Sequence, residues 1–246
     1  MDFATWIGTL LGAVAIVGGA LIEGLHPGDV VVGTAALIVI GGTFAATFVS
    51  FPSEDIGRAI ALLPVIFLKV DREVSVLIDE IVTVANLARK EGVLAIEGRK
   101  ESLTDPLLRG SLHFVVDGFD APTVREIIEA QIQAKLESEE AAAKVWEGAG
   151  GYAPTIGIIG AVLGLIHVMR RLDDPSRIGG GIAIAFVATI YGVALANLVF
   201  LPWGTKLKRK AQQRTLRLEV LKHGLAGIQD GINPHFLREK LEAIAK

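Results

Sequence analysis

The chain has 246 residues, 51% of them Ala, Val, Ile, Leu, Met, Phe, Trp, Tyr or Cys, with 28 glycines besides and a mean hydropathy of +0.51. Yet 21% are charged and the net charge is only −3, so the apolar excess must sit in blocks, which excludes a conventional water-soluble enzyme. There is no cysteine, which excludes disulfides, thiol catalysis and thiolate metal sites.

The first run without Asp, Glu, Lys or Arg extends from Phe3 to Ile22. At about 1.5 Å rise per residue, roughly 20 residues cross a hydrocarbon core of about 30 Å, so a transmembrane helix is expected here. A cleaved signal peptide does not fit, because the only charge ahead of the run is Asp2 and the apolar stretch exceeds the usual signal core. Gly8 and Gly12 have the GxxxG spacing that lets helix backbones approach closely. Glu23 to Asp29 is too short to hold a domain, and a second charge-free run follows from Val30 to Phe51.

The next block, residues 52 to 147, carries 11 Lys/Arg and 18 Asp/Glu. Val74, Leu77, Ile78, Ile81, Val82, Ala85 and Ala88 recur at three-and-four spacing, which predicts an amphipathic helix from about Arg72 to Glu91, stopped by Gly92. Asp120 and Pro122 mark a second helix start, and Val124, Ile127, Ile128, Ile132 and Leu136 continue an apolar stripe toward Trp146. From Ala121 to Glu147 that helix would be roughly 40 Å long and would stand out of the membrane. The string Gly148-Ala-Gly-Gly is expected to break it before the third span.

The third charge-free run is Gly148 to Met169, with Gly160 and Gly164 again at GxxxG spacing, and the fourth is Ile178 to Thr205. The link Arg170 to Arg177 is short, so these two form a second hairpin. The tail, 206 to 246, has 10 Lys/Arg and 4 Asp/Glu, and Asn233-Pro234 starts a terminal helix containing Phe236, Leu237, Leu241 and Ile244. With four spans, the middle block, the tail and both termini share one side. Gly24 to Asp29 has no Lys or Arg, whereas Lys206, Lys208, Arg209 and Lys210 follow the fourth span, which puts that side in the cytoplasm. Arg170, Arg171 and Arg177 oppose this, partly offset by Asp173 and Asp174.

The expected fold is thus an all-α integral membrane protein. It has a transmembrane hairpin over 1–51 (spans about 3–22 and 30–51), a cytoplasmic helical region over 52–147, a second hairpin over 148–205 (spans about 152–169 and 178–202) and a cytoplasmic helical tail over 206–246. No nucleotide loop, HExxH or hydrolase triad order is present, so the chain does not read as an enzyme, a metal protein or a nucleic-acid binder. Ion carriers usually keep a carboxylate at membrane depth, where it costs about 2.5–3.5 kcal/mol or more. No span here has one; if the chain conducts ions, the titrating group comes from a partner. The polar candidates inside the spans include Thr34, Thr43, Thr47, Thr155, His167, Thr189 and Asn197, with Glu23 at a span end. For each the plain alternative is an interfacial side chain or a hydroxyl bonded to its own helix.

The stretch Ala153-Pro-Thr-Ile-Gly-Ile-Ile-Gly-Ala-Val-Leu-Gly-Leu-Ile-His167 resembles the third membrane helix of the MotA/PomA flagellar stator subunits. Ile178 to Pro202 is similar to their fourth, and Ala88-Arg-Lys-Glu-Gly-Val-Leu-Ala-Ile-Glu97 to part of their cytoplasmic loop. The resemblance covers essentially the whole chain. It implies a subunit of the bacterial inner membrane, a pentameric ring around a dimeric MotB/PomB-like B-type partner that supplies the membrane Asp, and a push on the rotor switch protein of the C-ring. It marks Arg89 and Glu97, with Lys90 and Glu91 beside them, as rotor-facing; the plain alternative is a solvated helix face. A further acid is common just after the Glu97 position, where this chain has Gly98-Arg99-Lys100.

Pro154 and Pro202 match the two prolines at the cytoplasmic ends of spans three and four, where a missing N–H can loosen or kink the helix and couple ion uptake to movement. Thr189 matches a pore-facing threonine, and Thr155 joins it as a pathway candidate. Sodium-type relatives carry another Thr where this chain has Ala161, so the transported ion is expected to be H+ and no cofactor is implied. The alternatives are an ExbB/TolQ-type energiser, against which the Phe3 to Phe51 hairpin argues, and a membrane scaffold that conducts nothing.

Overall fold

The computed structural model describes residues 3–68, 74–170 and 175–245. Asp2, Arg72, Arg171, Asp173 and Asp174, which figure in the sequence reading, lie outside the described residues, as does the side chain of Arg177. Among the described residues the regular structure is entirely helical, and four helices are long and apolar enough to cross a membrane: Phe3–Ile22, Gly33–Ser50, Ala121–Met169 and Ile178–Gln229. The chain divides into two units, one of Met1–Lys69 with Ser138–Arg209, the other of Val70–Glu137 with Lys210–Lys246.

In the first unit, spans two, three and four pack through small residues. Ala35, Val39, Thr43 and Thr47 form the buried face of span two, one ridge at four-residue spacing. The Thr43 hydroxyl donates to the Val39 carbonyl at 2.6 Å and the Thr47 hydroxyl to that of Thr43 at 2.8 Å, so both are satisfied without water. A Cβ on Gly42 would stand 2.7 Å from Ile156, and one on Gly160 would stand 2.8 Å from the Ala188 methyl. Between helices in lipid, where apolar surfaces gain nothing by meeting, this close van der Waals approach is the main attraction. Span one differs: none of its residues is buried.

The expected break at Gly148-Ala-Gly-Gly does not occur, since one helix runs from Ala121 to Met169. Glycine in a helix costs about 1 kcal/mol relative to alanine. Here it is kept because a Cβ on Gly148 would stand 2.6 Å from the Phe51 ring, and one on Gly150 would stand 2.6 Å from Leu201. These glycines admit neighbours rather than end the helix.

Span two begins at an irregular stretch held from outside. The Tyr191 hydroxyl donates to the Val30 carbonyl at 2.6 Å and accepts from the Val32 N–H at 3.2 Å. Val32, the residue before the helix, has no side-chain cap of its own, so Tyr191 satisfies backbone groups that helix ends leave open. At the other end of the spans, the rings of Trp6, Phe67, Trp203, Trp146 and Phe200 form a continuous chain, with centroids 5.2 Å apart for Trp6–Phe67 and for Trp203–Trp146. The Trp146 indole N–H donates to the Ala59 carbonyl at 3.2 Å. Every tryptophan in the chain lies in this cluster, the residue type favoured at membrane–water boundaries.

The second unit has its own core. The stripe of the Val74–Glu91 helix buries Leu77, Ile78, Ile81, Val82 and Ala85, and Gly92, at φ +87°, ends the helix. Val124, Ile128 and Ile132 meet this stripe together with Leu218, Leu221 and Leu225. The terminal helix, Pro234–Ile244, starts where the Asn233 side chain accepts the His235 N–H and buries Leu237 and Leu241, whereas Phe236 points outward and is 66% exposed. A Cβ on Gly224 would stand 2.7 Å from Ile81, and one on Gly227 would stand 2.5 Å from Leu237.

Candidate functional site

The pathway candidates lie on spans three and four, which touch backbone to backbone. A Cβ on Gly157 would stand 2.9 Å from the Ala188 carbonyl and 3.5 Å from the Thr189 Cα, and one on Gly164 would stand 3.0 Å from the Ala185 methyl. Thr189 is therefore fixed beside span three. Its hydroxyl donates to the Ala185 carbonyl at 3.3 Å, and that of Thr155 to the Tyr152 carbonyl at 2.8 Å. Each keeps lone pairs free to accept from water or a hydrated ion. Thr155 is exposed and Ala161 half-buried. Around them Ile158, Ile159 and Val162 of span three and Phe186, Ile190 and Val193 of span four are exposed, an apolar surface left uncovered by the chain itself.

The two prolines act differently. Pro154 lies inside an unbroken helix. Pro202 follows a π-helical turn, Ala196–Phe200; a proline ring clashes with the carbonyl four residues back, and the widened turn relieves that crowding. A second π turn, Leu37–Gly41, lies in span two. Of the GxxxG glycines, Gly160 and Gly164 face span four, a Cβ on Gly12 would stand 3.1 Å from Leu198, and Gly8 faces open space.

The charged candidates belong to the second unit. Arg89, Lys90 and Glu91 close the Val74–Glu91 helix, and Glu97 lies on the following 3-10 segment, Val93–Ser102; all four are exposed. Arg89 and Lys90 line a groove of about 630 Å³, whose other wall is the start of the terminal helix with His235 and Arg238. Glu91 and Glu97 are not part of its lining. The sequence reading found both helices but not their meeting, because the spacing of a stripe does not say which helix will cover it.

Ion pairs and charge-assisted hydrogen bonds fasten the same unit. Arg217 binds the buried Asp105 carboxylate, which also accepts the Leu107 and Leu108 N–H groups at 2.8 and 3.1 Å and so caps the Pro106–Ser111 helix. Glu80 accepts the Thr104 and Asp105 N–H groups at 2.7 and 3.0 Å. Lys222 bridges Glu129 and Glu219. Burial pulls the Lys222 ammonium down, but hydrogen bonds to Glu129 and Glu219 outweigh it and hold it above the ordinary lysine range. The Lys222 hydrogen bond in turn holds Glu129 below the carboxylate range. Burial, with Lys240 and Lys222 nearby, pushes the His223 imidazole down.

The profile of the MotA/TolQ/ExbB proton channel family matches residues 99–220. Motility protein A of Bacillus subtilis is 34% identical over 98% of this chain and 90% of its own length. Among solved structures, a chain of C. jejuni MotAB superposes with a TM-score of 0.91 at 31% identity, covering 99% of this chain and 96% of that one. A chain of the flagellar MotAB stator complex from Bacillus subtilis gives 0.89 at 33%, covering 97% and 94%.

Proposed function

The chain belongs to the motility protein A group of the MotA/TolQ/ExbB proton channel family, and we propose from that premise that, as a flagellar stator subunit, it forms a pentameric ring around the membrane helices of a dimeric B-type partner. The partner brings the ion-accepting Asp. The chain brings the apolar wall of spans three and four, with Thr155 and Thr189 supplying hydroxyls along it. The membrane is the bacterial inner membrane, with both termini and the charged block in the cytoplasm. The observation that carries this reading is the pairing of charge-free spans with an uncovered apolar face at Ile158, Val162, Ile190 and Val193. Such a face can take the partner's helices in place of lipid, and such spans need a borrowed carboxylate.

Ion entry and release at the partner's Asp steps the ring, and exposed charges at Arg89, Lys90, Glu91 and Glu97 push the rotor switch protein. One elementary charge crossing 100 mV releases about 2.3 kcal/mol, enough to make and break a few exposed ion pairs worth up to about 1 kcal/mol each. Pro154 and Pro202 loosen the cytoplasmic ends of the two spans so that protonation can move them. The ion is H+, because sodium needs several oxygen ligands and Ala161 offers none.

The test is ion conductance in cells expressing this chain with its cognate B-type subunit. Proton flux that requires both proteins supports the reading, and no flux with a verified cognate overturns it. Flux through the purified chain alone would overturn the borrowed carboxylate.

A further inference from the structure

We infer that Tyr191 is a positioning residue for the ion pathway: its hydroxyl, bonded to the backbone that leads into span two, sets the rotation of span four and with it the direction in which Thr189 presents its own hydroxyl. This rests on the stator reading above, in which Thr189 lines the pathway, and gives the orientation of that hydroxyl to a residue the sequence resemblance did not mark. Tyr191 and Thr189 lie in one regular helix, Pro175–Leu195, two residues and so about 200° apart around its axis. Tyr191 faces span two, and Thr189 faces away from it.

Span four is held in two ways. Against span three it sets Ala185, Ala188 and Gly192 on Gly164, Gly157 and Ala153, small-residue contacts that fix how closely the helices approach. Against span two it has a directional contact: the Tyr191 hydroxyl donates to the Val30 carbonyl at 2.6 Å and accepts the Val32 N–H at 3.2 Å, and hydrogen bonds weaken steeply when bent. Val32 has no side-chain cap of its own, and the Asp29 carboxylate accepts the His26 N–H at 2.9 Å instead. The Tyr191 ring packs against the cluster of Ala35, Val39, Val187 and Ala188, so the hydroxyl reaches its two partners from a fixed base.

A slip of about 20° around the axis of span four moves an atom about 5 Å from that axis by about 1.7 Å. Proton transfer between a partner's carboxyl and water at Thr189 needs donor and acceptor within hydrogen-bond reach, and a shift of that size slows such a step about tenfold or more. The Thr189 hydroxyl donates to Ala185 of its own helix at 3.3 Å, so it turns with span four and does not compensate. Loss of the Tyr191 hydroxyl alone should therefore slow ion transfer and leave the packing of the spans in place.

The experiment uses the full chain with its B-type partner, in cells and as the purified complex. Tyr191→Phe keeps the ring and removes the hydroxyl. It is expected to lower proton flux per assembled complex about tenfold with the yield of complex unchanged, and to speed amide hydrogen exchange at residues 30–36 while the rest of span four exchanges as before. A second variant combines Val32→Cys with Tyr191→Cys in a chain that has no other cysteine; its flux should be low until a short bifunctional thiol reagent joins the pair and should then recover, which a merely structural defect would not allow. Flux per complex equal to that of the unchanged chain, faster exchange along the whole of span four, or no recovery on joining overturns the positioning role. If Tyr191→Phe does not assemble, the second variant before and after joining decides. Failure of the stator reading is distinguishable, because then the unmodified chain shows no partner-dependent flux.

Discussion

The carbonyl oxygen of Ala153 lies 2.5 Å from where a Cβ on Gly192 would stand, so spans three and four meet there with no space for a side chain. A buried backbone atom cannot swing away as a side chain can. Gly192→Val should therefore cost about 1–3 kcal/mol through forced separation of the helices. Thermal unfolding of the detergent-purified variant checks this, and an unchanged midpoint would refute it. Gly8→Ala, which meets nothing within 4 Å, should not lower the midpoint, since alanine is the better helix former.

Asp105 is both a helix cap and half of an ion pair, and its side chain is 1% exposed against 26% for Arg217. Removing one partner of such a pair strands the other charge, at a cost of about 3–5 kcal/mol. Asp105→Ala should accordingly unfold the second unit well below the temperature of the unchanged chain. Protease cutting within residues 93–118 would report it directly; resistance equal to the unchanged chain would contradict it.

Arg89 and Glu97 are exposed, so reversing either charge should leave folding within about 0.5 kcal/mol. The expected loss is in swimming speed, with membrane levels unchanged. Normal swimming of the double reversal at native expression would remove both residues from the rotor contact.

His223 titrates below its ordinary value because burial and the nearby Lys240 and Lys222 oppose its charge. The unfolded chain thus takes up a proton first, near pH about 6.5, and the stability from this group is complete above that pH and lost as pH falls through the folded value. Glu129, held down by Lys222, loses its share only below about pH 4.3. The unfolding midpoint should fall between about pH 7.5 and pH 5.5, and it should fall less in His223→Gln. An equal fall in both proteins would assign the acid sensitivity elsewhere.

The four spans were legible because charge is expensive in lipid, so its absence from Phe3–Ile22 or Ile178–Thr205 is a strong signal. The core stripe was legible too, since Leu77, Ile81 and Ala85 must share one face. Gly148 was misread because nothing local distinguishes a glycine that ends a helix from one that admits a ring, and Phe51 is far away in sequence. Phe236 joined the expected apolar set by composition, although Leu237 and Leu241 define a face that excludes it. The groove was invisible for the same reason as Gly148: Arg238 meets Asp79 across most of the second unit's sequence.

The π turns at Leu37–Gly41 and Ala196–Phe200 bear on how this chain should be aligned with its relatives. A π turn holds a residue more than an α turn, so deleting one residue from Leu37–Gly41 would close it to ordinary helix and leave the flanking faces in register. Deleting one elsewhere rotates everything beyond it by about 100°, which would carry Gly42 away from Ile156 or Gly192 away from Ala153. At Ala196–Phe200 the turn is coupled to Pro202, so a shorter relative there should also lack the proline. Single-residue gaps within the spans therefore belong at these two turns, and a gap placed anywhere else would describe a differently packed protein.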